Sequence, residues 1–253
     1  MSRSRSFIGV TSAFVAAVVL SATPSSAATI TFSNMVATWS DVVGGTNVNF
    51  AGNGTGDATI QWGTPVNQPN QSGYNFEGLG VPIEVVLPPS PTPDFVLGEF
   101  THFNFPIRVG TSLSSVRLTI GTDVEVDGSP LGNYSFVYDV LHNETPNGAN
   151  PCADGGANGV GVNINGCADN VSTQFNALSD SFQIGSDLYT LDIRGFLLNG
   201  NPLLSFWTIE NQENTAQVLA RVQLTTQQVP EPMTLALVGS GLAAAAWRRR
   251  RRA

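Results

Sequence analysis

Apolar and polar residues alternate with a period of two through most of this 253-residue chain, and this pattern limits the folds that it can form. Successive side chains of a β-strand point to opposite faces of its sheet, so such alternation is typical of strands buried on one face. The clearest alternation occurs in residues 29–32, 58–62, 115–120, 134–138 and 189–193. The chain is therefore expected to form β-sheets.

Clusters of Gly, Asn, Pro and Asp separate the alternating segments, as in residues 44–47, 127–130 and 199–202. Such clusters form the tight turns that join antiparallel strands. The proline cluster at residues 88–93 predicts a surface loop, because proline cannot donate to a sheet ladder. A domain boundary there is the alternative, although the preceding residues hold little apolar material for a separate core. We predict an all-β fold, a single antiparallel β-sandwich or jelly roll over residues 28–228.

The amino-terminal residues follow a different pattern from the rest of the chain. Two arginines precede an apolar run over residues 7–20 and a group of small residues at 25–27. This order indicates a secretory signal peptide over residues 1–27. A permanent membrane anchor is the alternative, but the apolar run is short and Pro24 follows it.

The carboxyl terminus contains Pro230, Glu231 and Pro232, then an uncharged apolar run over residues 233–247 and arginines at 248–252. A helix of this length spans roughly 22 Å, less than the hydrocarbon core of about 30 Å. The arginines would remain on the cytoplasmic side of the inner membrane. The pattern predicts a transient membrane stop, and a weak permanent transmembrane helix is the alternative.

In its three parts and their order, this tail resembles the PEP-CTERM sorting signal of Gram-negative envelope proteins. The resemblance implies cleavage near Pro230 to Pro232 by an exosortase, a membrane-embedded enzyme similar to cysteine transpeptidases. Residues 229–253 would then be a sorting signal that is removed. The mature protein would reside at the cell surface or outside the cell.

Removal of both ends leaves a strongly acidic segment with four arginines, no lysine and eighteen acidic residues, a net charge of −14. This charge repels phosphate backbones, so nucleic acids are excluded as partners.

Cys152 and Cys167 predict a disulfide, because the compartment outside the cell is oxidising. A metal site is the alternative, but two thiols without a nearby histidine do not supply the four ligands that zinc takes.

Residues 98–107 form a second distinctive segment, rich in aromatic residues. On a strand, its odd-numbered residues from 101 onward would face the core, and His102 and Asn104 would lie on the opposite face. There the pair could fasten a neighbouring loop, contact a glycan or join a metal site.

Thr101, His102 and Asn104 match a Thr-His-x-Asn signature, and the wider segment resembles the THxN family of PEP-CTERM proteins and the related choice-of-anchor K domain. The other segments that carry the resemblance are residues 60–65, 71–76, 144–148, 152–167 and 206–210. The resemblance implies an exported, surface-sorted protein of a class associated with extracellular polysaccharide and biofilm matrix.

Oxygen-bearing side chains suggest two calcium sites, since Ca²⁺ prefers oxygen ligands. One is a row of acids on a single strand face, namely Asp123, Glu125 and Asp127. The other combines Asp154 and Asn158, in the glycine-rich loop between the cysteines, with Asp169 beyond it. The alternatives are a solubilising row of charges and a disulfide-linked loop whose Asn and Asp residues form turns.

Catalytic motifs of the common hydrolases are absent from the sequence, including Gly-x-Ser-x-Gly and His-Glu-x-x-His. A glycosidase needs only two carboxylates, but pairs such as Glu210 and Glu213 are typical of solvated surface. We predict a non-enzymatic structural or adhesive matrix protein that requires no cofactor. The alternative is a carbohydrate-binding module that stacks sugars on exposed members of an aromatic set, namely Trp39, Trp62, Tyr74 and Trp207.

Overall fold

The computed structural model describes residues 27–227, and nearly all of them lie in strands or the turns between strands. This part of the chain forms fourteen strands and one 3-10 turn at Gly161–Asn163. The strands are β1 (Ala28–Gly44), β2 (Asn49–Ala51), β3 (Asp57–Trp62), β4 (Ser72–Gly78), β5 (Ile83–Leu87), β6 (Phe95–Asn104), β7 (Leu113–Val126), β8 (Ser129–Asn143), β9 (Asp169–Phe175), β10 (Phe182–Ile184), β11 (Asp187–Leu198), β12 (Asn201–Leu203), β13 (Ser205–Thr208) and β14 (Gln212–Gln227).

The strands form two antiparallel sheets. Sheet A has six strands in the spatial order β13, β9, β8, β7, β1 and β5. Sheet B has eight strands, in the order β10, β11, β14, β6, β4, β3 and β2, with β12 paired to β11. Inward-facing residues of both sheets form one hydrophobic core. The predicted all-β antiparallel sandwich is confirmed.

All five predicted strands lie inside observed strands, and the predicted turns join them. Asp127 and Gly128 connect β7 to β8, and Asn199 and Gly200 connect β11 to β12. Asp127 and Asn199 have φ of 50° and 51°, a left-handed conformation that Asp and Asn tolerate. The proline cluster lies in the loop that carries the chain from β5 in sheet A to β6 in sheet B.

Aromatic side chains bridge the two sheets. The ring of Trp39 on β1 lies 6.4 Å from that of Phe100 on β6, and its Nε1 donates to the Ala58 carbonyl oxygen at 2.8 Å. Phe196 on β11 packs 4.7 Å from Phe206 on β13. Full burial of each phenylalanine contributes about 1.5–3 kcal/mol. These contacts hold sheet B against sheet A through the centre of the sandwich.

A long loop between β8 and β9 carries the predicted disulfide. The Sγ atoms of Cys152 and Cys167 are bonded, so the prediction is confirmed and neither thiol is available to a metal. The backbone N–H of Cys167 donates to the Asn147 carbonyl oxygen, which ties the two ends of the loop together.

The predicted faces of residues 101–104 are wrong, although Ile107 is buried as predicted. His102 and Asn104 are buried, whereas Thr101 and Phe103 are partly exposed. β6 lies between β14 and β4, and its buried Phe100 fixes the even-numbered positions toward the core. The strand ends at Asn104, so the alternation does not continue to residue 107.

No helix long and apolar enough to cross a bilayer occurs among residues 27–227. The predicted sorting segment, with Pro230, Glu231 and Pro232, lies outside the described residues, as does the predicted signal peptide apart from Ala27.

We expect Gly98→Ala to lower the free energy of unfolding by about 1–3 kcal/mol, because the new methyl group would meet the carbonyl oxygen of Glu77 on the neighbouring strand. Gly80→Ala is the control, since nothing lies within 4 Å of a Cβ there. Urea denaturation would measure both variants. Equal midpoints for the two would contradict the close strand packing at Gly98.

Candidate functional site

Strand ends at one edge of the sandwich bring three titratable side chains together in its interior. His102 lies near the end of β6 in sheet B, whereas His142 lies near the end of β8 and Asp169 begins β9, both in sheet A. The nitrogen and oxygen atoms that these residues offer as ligands all lie within 4.8 Å of one another. All three residues are buried. We call them the His-Asp cluster.

His102 is held by a threonine of the opposite sheet. Its Nδ1 atom lies 2.9 Å from the Oγ1 atom of Thr208, which in turn donates to the backbone oxygen of Asp169 at 3.1 Å. Because the Thr208 hydroxyl has already donated its single proton, it can only accept from His102. The Nδ1–H of His102 therefore donates to Thr208, and Nε2 keeps a lone pair. The nearest polar partner of Nε2 is the Ser72 hydroxyl at 3.5 Å, which already donates to the Phe103 carbonyl oxygen.

Burial sets the charge state of His102. Removal from water, with a smaller contribution from the neighbouring His142, lowers the pKa of His102 well below its ordinary value. The imidazole is therefore neutral at neutral pH. A neutral imidazole is the form that accepts a proton or a metal ion.

His142 lies between a hydroxyl and a carboxylate. Its Nδ1 atom is 2.6 Å from the Tyr74 hydroxyl, and its Nε2 atom is 3.2 Å from Oε2 of Glu144. Burial, followed by the nearby Asp169 and Glu144, raises the pKa of Tyr74 well above its usual value. The Tyr74 hydroxyl thus keeps its proton and can donate to His142.

Two buried carboxyl groups, Asp169 of the cluster and the nearby Glu210, have oxygens without a hydrogen-bond partner. Oδ1 of Asp169 accepts from the backbone N–H of Thr145 at 2.7 Å, but Oδ2 has no partner. Neither side-chain oxygen of Glu210 has one, although Glu210 is only 1% exposed. A buried polar atom without a partner costs about 1–3 kcal/mol. Burial of these oxygens therefore carries a desolvation cost that no protein group among residues 27–227 offsets with a hydrogen bond.

The charge states of these carboxyls reflect the same shortage of partners. Burial, and then repulsion by Glu144, raises the pKa of Asp169 to about 9, while the Thr145 backbone N–H opposes this rise. Burial and Glu144 likewise raise the pKa of Glu210 to about 7. The amides of Asn147 and Asn104 lie close enough to offset part of the rise for Glu210, but they do not reach hydrogen-bond geometry. Without a cation, Asp169 favours its protonated form at neutral pH.

No arginine of residues 27–227 forms an ion pair with these carboxyls. Arg117 pairs with two aspartates on the outer face of sheet A. Arg194 and Arg221 both pair with Asp192. The fourth arginine, Arg108, lines the same surface groove as Glu144 but forms no ion pair, so no arginine of residues 27–227 pairs with the buried carboxyls.

A groove of about 640 Å³ adjoins the cluster. Glu144, Thr145 and Asn147 line one part of it, and apolar residues such as Ile107 and Val109 line another. Glu144 is 26% exposed at its side chain and contacts His142 from this groove. It therefore connects the buried cluster with the surface.

The residues of the Thr-His-x-Asn signature have different roles. Thr101 lies on the outer face, where its hydroxyl pairs with that of Thr215 at 2.8 Å. Asn104 donates from Nδ2 to the backbone oxygen of Thr208 at 3.0 Å. Since His102 contacts the same threonine, the pair fastens a neighbouring element, which is strand β13 rather than a loop.

The residues predicted to bind calcium in and beyond the cystine loop serve separate networks. Asp154 is exposed and accepts from the side chain of Asn163 at 3.0 Å. Asn158 turns its amide nitrogen inward, where it donates to the backbone oxygens of Asn147 and Ala149. Asp169 belongs to the His-Asp cluster. These contacts do not form the oxygen set predicted for calcium, because the loop uses its Asn and Asp side chains to hold its own backbone.

The row of acids on β7 lies on the outer face of sheet A. Asp123 accepts from the amides of Asn34 and Asn133, and these bonds lower its pKa. Asp127 lies in the turn after the strand and accepts from the Thr29 backbone N–H at 2.9 Å. Asp123 and Asp127 are thus held by hydrogen bonds from residues of the neighbouring strands β1 and β8.

Several residues of the site escaped prediction. Glu210 was expected at the surface with Glu213, but only Glu213 is exposed, because the cystine loop covers Glu210 and Asn165 donates to its backbone oxygen. His142 had a usable signal, since it continues the inward-facing phase of Phe136, Tyr138 and Val140. The role of Thr208 could not be predicted from the sequence, because its partner His102 lies 106 positions away.

We expect Thr208→Val to lower the free energy of unfolding by about 1–3 kcal/mol, because the buried His102 and Asn104 would lose a partner. Thr215→Val is the control, since its hydroxyl pairs on the exposed face, and its effect should be within about 0.5 kcal/mol. Denaturant unfolding would compare them. An equal loss in both variants would contradict the role of Thr208.

Comparison with protein-family models matches residues 228–251 to the PEP-CTERM protein-sorting motif. No curated protein matches the chain. The match confirms the resemblance of the tail, while the resemblance of the β-sandwich to the THxN family and the choice-of-anchor K domain stays a prediction. The chain carries a PEP-CTERM sorting signal and is a secreted protein that is targeted to an exosortase.

Proposed function

We propose that the β-sandwich is a non-enzymatic structural or adhesive component of the extracellular polysaccharide matrix, delivered to the cell surface by its sorting signal. The observation that carries this proposal is the PEP-CTERM motif at residues 228–251, which directs the chain to export and processing. The motif follows the last strand of the sandwich directly, so the signal and the sandwich are joined without an intervening strand or helix.

The charge and the cross-link of the sandwich support a role outside the cell. Its net charge of −14 keeps it soluble and favours contact with cations or basic surfaces. The Cys152–Cys167 disulfide closes a 15-residue separation, and a loop of that size stabilises a fold by about 3 kcal/mol. Structural disulfides of this kind are typical of proteins in oxidising compartments.

The geometry of the His-Asp cluster supports a non-enzymatic role. His102 and Asp169 are fully buried, and Thr208 ties them to each other across the sheets. Catalysis on a polysaccharide would require these groups to touch the substrate. A cluster whose His102 and Asp169 are buried, with only the neighbouring Glu144 reaching the surface, is better suited to holding the sheets together.

The carbohydrate-binding alternative has lost its predicted platform. Trp39, Trp62 and Tyr74 are buried in the core, and Trp207 is partly buried. Stacking on a sugar ring requires an exposed aromatic face. The four residues therefore do not form the surface that this alternative needs.

We expect acrylamide to quench the fluorescence of Trp39 and Trp62 weakly, because both indoles are buried. The measurement would use a Trp247→Phe background, which removes the tryptophan of the sorting segment. Adding Trp207→Phe should then remove most of the quenchable signal. Strong quenching that persists in this double variant would contradict the burial of the two indoles and would revive the stacking surface.

We expect replacement of Pro230, Glu231 and Pro232 by alanine to leave the tail attached, because an exosortase would lose its recognition motif. Intact mass of the protein recovered from producing cells would show the difference, with Pro202→Ala as the control for loss of an exposed proline. A tail removed equally in both variants would contradict processing at this motif.

The matrix role requires a separate measurement. Cells that lack the protein should form a less cohesive matrix, and the wild-type chain should restore cohesion where the alanine variant of the sorting motif does not. An unchanged matrix in the absence of the protein would overturn the proposed function.

A further inference from the structure

We propose that His102, His142 and Asp169 bind one divalent transition-metal ion of the zinc class, which joins the two sheets inside the sandwich. This inference goes beyond the proposed matrix role and does not depend on it.

The donor atoms are of the right kind and lie near the right distances. Two imidazoles and a carboxylate are typical ligands of Zn²⁺ and its neighbours, whereas Ca²⁺ takes oxygen ligands. Tetrahedral Zn²⁺, with ligand bonds of about 2.1 Å, places its ligand atoms about 3.4 Å apart. The donor atoms of the His-Asp cluster lie within 4.8 Å of one another, so a contraction of about 1.4 Å at most would complete the geometry.

Each histidine has a partner that would orient it toward a metal. Ligating histidines donate their second ring N–H to an oxygen atom, which fixes the ring and its tautomer. Nδ1 of His102 lies 2.9 Å from the Thr208 hydroxyl, and Nδ1 of His142 lies 2.6 Å from that of Tyr74. In the metal-free protein Tyr74 donates to Nδ1 of His142, but a tyrosine hydroxyl also accepts, so binding of the ion at Nε2 would reverse this bond and leave Nε2 of both rings free to bind.

The oxygen atoms without partners are an independent indication of a cation. Oδ2 of Asp169 and both side-chain oxygens of Glu210 are buried and unpaired. Glu144, 3.2 Å from Nε2 of His142, is positioned to supply a fourth ligand. Asp169 and Glu144 thus lie against the two imidazoles, Glu210 lies near Asp169, and no arginine of the described residues pairs with these carboxyls. A divalent ion would balance this charge and occupy the free lone pairs.

The position of the cluster predicts what the ion does. His102 belongs to sheet B, whereas His142 and Asp169 belong to sheet A. An ion held by all three would cross-link the sheets at the edge where the cystine loop closes the sandwich. Because the unfolded chain does not hold the three ligands together, metal binding would stabilise the folded state.

The test uses the full chain with its disulfide formed, produced without a histidine tag and treated with a chelator. We expect Zn²⁺ to remain bound at one ion per chain after desalting, measured by elemental analysis, and to raise Tm by several degrees. Co²⁺ should give a visible absorption band of a coordinated ion. Ca²⁺ and Mg²⁺ at the same concentration should leave Tm unchanged.

Asp169→Asn is the decisive variant, because the amide oxygen can still accept from the Thr145 backbone while the charged ligand is lost. We expect metal-free Tm to be preserved or raised and affinity for Zn²⁺ to fall at least tenfold. Asp154→Asn is the matched control, an exposed aspartate whose loss should leave Zn²⁺ affinity and the Co²⁺ band intact. His142→Gln should also abolish the Co²⁺ band. If the His142→Gln chain does not fold, the Zn²⁺ affinity of Asp169→Asn alone tests the proposal.

Two outcomes would overturn the proposal. One is a wild-type chain that retains no Zn²⁺, which would mean that protons alone neutralise the buried carboxyls. The other is equal Zn²⁺ binding by Asp169→Asn and Asp154→Asn, which would place the ion elsewhere.

Discussion

The hydroxyl group of Thr208 connects the two sheets at the edge of the sandwich where the polar residues gather. It bonds His102 and Asn104 of sheet B and the backbone of Asp169 in sheet A. Most other contacts between the sheets are made by aromatic rings, which tolerate small shifts because dispersion has little directionality. A hydroxyl with three partners fixes both distance and angle. Together with the bond between the Tyr74 hydroxyl of sheet B and His142 of sheet A, this contact sets the relative position of the His-Asp cluster.

The strand framework was predictable because its signals are local. A period of two and an Asp-Gly or Asn-Gly turn are read from adjacent residues, and β7, β8 and β11 all appeared where these signals placed them. The cystine pairing was predictable for another reason, since an exported chain with two cysteines offers a single intramolecular pair.

The site was predictable only in part, because its contacts join distant parts of the chain. Nothing adjacent to His102 indicates that a threonine 106 positions later will satisfy it inside the core. The aromatic residues of 98–107 occupy both phases, and either phase could have been the buried one. Glu210 was misplaced for a similar reason, since its burial results from a loop whose course is set by the cystine. His142 alone continued an inward phase visible in the sequence.

The placement of the arginines has a consequence for survival among extracellular proteases. Arg117, Arg194 and Arg221 lie within strands β7, β11 and β14, where backbone pairing prevents the peptide from extending into a protease cleft. Arg108 lies outside the strands and is exposed. Because lysine is absent, an enzyme that cuts after basic residues would find its accessible bond in residues 27–227 at Arg108, beside the groove. The folded body is thereby poor in tryptic sites without needing any inhibitor or glycan shield.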